Sequence, residues 1–183
     1  MEYEVVVKDM FTRDPPVLLK RIARGRKLGL PLNVELALVH GRIADLFFRT
    51  GKRRLLHIEV QTANAKNMAV RSGVYALLGA EKYGADFVDQ VVLYIGRRKM
   101  RMLDRLDIGA VKVRFRLINV NEISAAELLR SPNPSDWVIA MLGKNGTKEL
   151  KTILRRILAQ PEELRGRLVA QMMALSGAGC RKD

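Results

Sequence analysis

Cysteine is almost absent: Cys180 is the only thiol in 183 residues. That excludes an internal disulfide and predicts a reducing compartment. With two histidines beside the one cysteine, a Cys/His zinc site is excluded too. Cys180 sits near the C-terminus among Gly, Arg and Lys, with no partner for metal or catalytic work. Aromatic residues are scarce, and Trp137 and Phe87 stand apart, so there is no platform for stacking single-stranded bases. No apolar run reaches the length of a membrane span, and Met1-Glu2-Tyr3-Glu4 is acidic where a signal peptide starts basic. A cytoplasmic protein with no membrane partner is expected. A P-loop, a dinucleotide glycine fingerprint after a strand and a nucleophile elbow are all missing.

Acidic residues are outnumbered, 19 against 33 Lys and Arg, for a formal charge of +14. Such a field attracts phosphate backbones, acidic proteins or anionic membranes. A generally basic, thermophile-like surface is the plainer alternative. Apolar residues make up 48% of the chain and run throughout it, which argues for a globular domain with helices on a sheet.

Asp14-Pro15-Pro16 reads as a helix start, and Arg24-Gly25-Arg26-Lys27 as its end. Residues 34–39 are a candidate strand and His40-Gly41 a turn. A helix is predicted over 66–83, then a nearly continuous apolar strand over 90–96, as suits a strand covered on both faces. A strand–helix–strand unit of this length implies a right-handed crossover and parallel pairing. An alternating strand is predicted over 111–120, with Val111, Val113, Phe115 and Leu117 on one face. Short helices follow, ending near Arg130, over 135–142, over 147–158 and over 162–176. The fold class predicted is α/β, a mixed central β-sheet flanked by helices, with residues 1–130 as the core. Residues 131–183 form a helical C-terminal extension packed on the same domain.

Between these elements, two strands over 43–49 and 55–61 carry Asp45 and Glu59 where core residues would stand. If paired residues sum to 104, Ala44, Leu46 and Phe48 face Val60, Ile58 and Leu56 as one apolar face. Asp45 then answers Glu59, Phe47 answers His57 and Ile43 answers Gln61. A slip of one residue wastes both faces. The register needs an odd number of loop residues, 51–53 or 50–54, against the commoner two-residue loop that Gly51-Lys52 would form. The side-chain pattern takes precedence. Two carboxylates about 5 Å apart at Cβ repel, and a hard divalent cation is the natural compensation. An ion pair with Arg42, Arg71 or Lys66 is the alternative.

Asp45 and Glu59-Val60-Gln61 resemble the signature of the PD-(D/E)XK nuclease superfamily, with Gln for the usual Lys. The wider set is similar to its Rpn or transposase-like branch: Arg42-Ile43-Ala44-Asp45-Leu46-Phe47-Phe48-Arg49, Leu56-His57-Ile58-Glu59-Val60-Gln61-Thr62, Arg71 and Tyr75. The resemblance covers about residues 35–96 and implies a restriction-endonuclease-like fold and a metal-dependent DNA endonuclease. The alternative is an inactive nucleic-acid-binding module on that fold. It implies Mg²⁺ or Mn²⁺ held by Asp45, Glu59 and the Val60 carbonyl. Glu35 is a third carboxylate ligand or a solvent-facing residue. Gln61 can orient a water but not act as a base. Arg71 and Tyr75, one helical turn apart, would contact phosphate and water, or be a solvated Arg and a core-edge Tyr. His57 is either catalytic or packed on Phe47, and Lys66, at the helix start, either replaces the missing lysine or serves only as a nucleic-acid contact. Arg97, Arg98, Lys99 and Lys66 would contact nucleic acid, double-stranded DNA above single-stranded. Arg101, Arg105, Lys112, Arg114 and Arg116 extend that stripe, or protect strand edges. A homodimer through the amphipathic tail would suit double-strand cutting.

Overall fold

The alternation of polar and apolar residues is realised in a computed structural model of the chain, which describes residues 3–13, 16–32 and 46–176. In chain order the elements are α1 (Tyr3–Arg13), α2 (Val17–Ile22), β1 (Pro31–Leu32), β2 (Leu46–Gly51), β3 (Arg54–Gln61), α3 (Met68–Tyr83) and β4 (Phe87–Tyr94). There follow β5 (Arg105–Ile108), β6 (Val111–Arg114), β7 (Arg116–Asn119), α4 (Ala125–Leu129), α5 (Pro134–Ala140), α6 (Leu150–Leu158) and α7 (Glu162–Ser176). The chain is α/β, with a mixed five-stranded sheet in the order β1-β2-β3-β4-β7 and a separate β5-β6 pair. No described helix is long and apolar enough to cross a membrane.

Contacts divide the chain into two compact units. One comprises Met1–Arg21, Ile95–Arg97 and Asn119–Asp183, and holds α1, α2 and α4–α7. Its best-tied point is Asp136, fully buried on α5, whose carboxylate accepts from the Val17 and Leu18 amides (2.6 and 3.0 Å) and the Ser131 hydroxyl (2.6 Å). A carboxylate on the first amides of α2 satisfies donors that have no partner inside the helix.

The other unit, Ile22–Tyr94 with Arg98–Ile118, carries the sheet. Strands β2 and β3 are antiparallel, with Leu46 opposite Ile58, Phe47 opposite His57, Phe48 opposite Leu56 and Arg49 opposite Leu55. Each pair sums to 104, the register that the apolar pattern selects. A bulge at Thr50 then shifts the pairing to Gly51 opposite Arg54, leaving Lys52-Arg53 as a two-residue loop. The extra residue reconciles an odd span with a tight turn. Strand β4 runs parallel to β3, His57 beside Gln90 and Glu59 beside Val92, with α3 as the crossover. Helix α3 stops at Gly84, whose left-handed backbone (φ 59°) lets its own amide and that of Ala85 return to the last turn.

The strand expected over 111–120 is two strands. The backbone breaks at Phe115, whose amide donates to the Asp104 carbonyl (3.0 Å). Residues before the break pair with β5, and those after it join the main sheet. The apolar alternation continues across the break, so periodicity could not reveal the change of partner. Arg116 does not continue a surface stripe either: it donates to the Ile22 carbonyl (2.7 Å) and to Asp89 (3.1 Å), which Arg26 also holds (2.8 Å). The strand expected over 34–39, its following turn, and Glu35, Arg42 and Asp45 lie outside the described residues.

Candidate functional site

Odd-numbered residues of β3 point at α3 because strand side chains alternate. Leu55, His57, Glu59 and Gln61 therefore lie on one side, where Phe47 and Tyr75 join Leu55 in a core cluster. Glu59 is 1% exposed. Its Oε1 accepts from Arg71 Nη2 and from Gln61 Nε2 (3.2 Å). Arg71 reaches it because α3 packs on β3 and β4, and positions 71, 75 and 79 fall on the sheet-facing side. Among the described residues Arg71 pairs with the carboxylate; Arg42, also considered as a partner, lies outside them.

His57 is held on every side. Phe47 stacks on its ring at 4.5 Å and Tyr75 meets it edge-on at 5.4 Å. Gln90 Nε2 donates to the Ser72 carbonyl and lies 3.3 Å from His57 Nδ1. A carbonyl only accepts, so this end of the amide is the NH₂ and Nδ1 is an acceptor. The neutral ring therefore carries its proton on Nε2, which faces Glu59 Oε2 at 3.5 Å. Four buried polar atoms gathered here have no hydrogen-bond partner: Glu59 Oε2, His57 Nε2, Arg71 Nε and Tyr75 OH. Orphans are rare in folded proteins, and a group of them calls for a ligand or water.

Beside the site, the loop after β4 is pinned by its backbone. Tyr94 OH donates to the Arg98 carbonyl (2.9 Å), Asn64 Nδ2 donates to the Lys99 carbonyl (3.1 Å), and Asn64 Oδ1 accepts from the Arg101 amide (2.6 Å). Burial pushes the Tyr94 hydroxyl above the ordinary tyrosine range, with Arg98 opposing, so it stays a donor at neutral pH. Asn64 thus ties this loop to the turn after β3. The side chains of Arg98, Lys99 and Arg101 are exposed, and so is Lys66 just before α3.

The structure thus brings together Glu59, Gln61, Arg71 and Tyr75. Val60 lies between the first two, buried and in register with Leu93. Arg97 is exposed and belongs to the other compact unit. The Asp45–Glu59 pairing and the place of Glu35 fall outside the described residues, among which no group of three or more His, Cys, Asp or Glu is set to hold a metal. Sequence reasoning missed Gln90, Asn64 and Tyr94. A polar residue opening an apolar strand and one in a polar run were the available signals. No protein-family model, curated protein or solved structure matches this chain.

Proposed function

We propose that this protein is a metal-dependent endonuclease acting on double-stranded DNA in the cytoplasm, of the PD-(D/E)XK type that its hairpin residues resemble. One observation carries the reading. Glu59 is a fully buried carboxylate with Oε1 fixed by Arg71 and Gln61, and with Oε2 lacking a hydrogen bond although His57 Nε2 faces it at 3.5 Å. A carboxylate oxygen with a free lone pair is the hard donor that Mg²⁺ or Mn²⁺ takes. Glu59 and the Val60 carbonyl would hold the ion with Asp45, and with Glu35 if it serves as the third carboxylate. When bound, it acidifies a water and offsets charge on the phosphate. The chain's own residues do the rest. Gln61 holds Glu59 and orients a water, and Arg71 presents a guanidinium to a phosphate while keeping its contact with Glu59. His57 directs its Nε2 proton at the carboxylate. The pinned loop at Arg98–Lys99 and the nearby Lys66 offer cations to the backbone.

A second reading has an observation of its own. Arg71 already supplies the countercharge that a cation would bring to Glu59. Together with Gln61 in place of Lys, this favours a nucleic-acid-binding module without catalysis. Plasmid nicking in Mg²⁺ or Mn²⁺ separates the two, with Asp45→Ala and Glu59→Ala run beside the unaltered protein. Cleavage lost in both variants, with DNA binding retained, supports the nuclease. No cleavage and no calorimetric metal binding would leave the binding module.

A further inference from the structure

The β5-β6 pair is a ribbon whose two faces differ completely. Arg105 stands opposite Arg114, Leu106 opposite Val113, Asp107 opposite Lys112 and Ile108 opposite Val111. Alternation therefore puts Arg105, Arg114, Asp107 and Lys112 on one face and the four apolar residues on the other. The apolar face is anchored only at its base. Val113 packs over Gly73 of α3, where a methyl group would come within 2.8 Å of it. Gly73 lies about 200° round the helix from Arg71 at 3.6 residues per turn, so α3 carries the site on one side and the ribbon on another. The far end is uncovered: Ile108 is 63% and Val111 41% exposed, flanking a two-residue turn whose Gly109 has φ 76°.

The charged face carries Arg105, Lys112 and Arg114 beside Asp107. Two like charges directly opposite one another destabilise a ribbon. Among the described residues Asp107 pairs with Lys112 at 3.3 Å and accepts from the Gly109 amide (3.3 Å), and Arg105 pairs with Asp104 at 4.0 Å. Lysine and arginine shield a strand edge, and three of them along one face also match a phosphate backbone. A two-stranded ribbon has the width of the DNA major groove, and apolar residues at a tip contact thymine methyls or wedge at base steps.

We propose that the β5-β6 ribbon is a duplex-DNA-binding arm. The ribbon enters the groove tip first, so that Ile108 and Val111 reach the base edges while Arg105, Lys112 and Arg114, on the other face, reach the phosphates along one wall. The proposal rests on the duplex-DNA substrate of the nuclease reading and names the element that grips it. The test is fluorescence anisotropy with a 20-bp duplex at several salt concentrations, in EDTA so that nothing is cut. Replacing all three cations by Gln should lower the magnitude of the salt slope by about 2.7, at 0.9 per phosphate contact, and weaken binding on the order of tenfold or more at 0.1 M salt. Arg105→Lys with Arg114→Lys keeps the charge and should keep the slope. Ile108→Ser with Val111→Ser should weaken binding several-fold at an unchanged slope. An unchanged slope in the triple Gln variant, with circular dichroism showing it folded, would overturn the proposal. Glu59→Ala marks the other failure: plasmid cleavage by the unaltered protein that this variant lacks upholds the nuclease whatever the ribbon does. A slope change without any cleavage upholds the ribbon alone.

Discussion

Replacing Arg71 by Ala would leave Glu59 as a buried carboxylate without its countercharge. The Glu59 side chain is 2% exposed and that of Arg71 23%, so the pair is largely out of water. Removing one partner of a buried pair costs about 3–5 kcal/mol, most of it the penalty on the charge left behind. Because Arg71 reaches solvent, water can enter beside the carboxylate, and the lower end, about 3 kcal/mol, is expected. Glu59→Gln in the same background removes the charge and should return about 2 kcal/mol, and Glu59→Gln alone completes the double-mutant cycle that gives the coupling. Trp137, the single tryptophan, lies in the other compact unit. Urea unfolding should be read by hydrogen exchange at β3 and β4 amides, with far-UV circular dichroism alongside. A coupling under about 0.5 kcal/mol would refute the reasoning, because it would mean that Glu59 is hydrated or protonated without Arg71.

Gly79→Ala should destabilise by about 1–3 kcal/mol although Ala is the better helix former, since its methyl would come within 2.5 Å of the Phe47 ring. That ring is itself wedged against His57. A lower urea midpoint checks it, and a rise would mean that Phe47 can move. Asp136→Ala should cost about 2–3 kcal/mol by stripping acceptors from the Val17 and Leu18 amides and the Ser131 hydroxyl, visible as faster exchange of the first α2 amides. The bidentate hydrogen bond from Arg53 holds the Asp86 carboxyl below the ordinary aspartate range. A depressed folded pKa favours folding above the unfolded value, and that gain is lost as pH falls through the folded one. An NMR titration should place the Asp86 midpoint below that of a free aspartate, and Arg53→Ala should raise it. An unmoved midpoint in Arg53→Ala would reject the assignment.

The sequence by itself determined what depends on alternation and punctuation. The β2–β3 register followed from Leu46, Phe48, Leu56 and Ile58, because one slipped residue exposes every one of them. The parallel β3–α3–β4 unit followed from strand and helix lengths, and the start of α7 from Pro161. Helix α1 was not anticipated, although Val6, Val7, Met10 and Phe11, which it buries, stand at helical spacing in the sequence. Tertiary structure alone decided which partners meet. It turned Arg116 inward onto Asp89, broke the chain at Phe115 so that β6 leaves the main sheet, and set Arg71 on Glu59 and Gln90 on His57. Periodicity reports which side of a strand or helix a residue occupies. Which charge or hydrogen-bond partner waits there depends on the element packed against it, and that is fixed only when the elements come together.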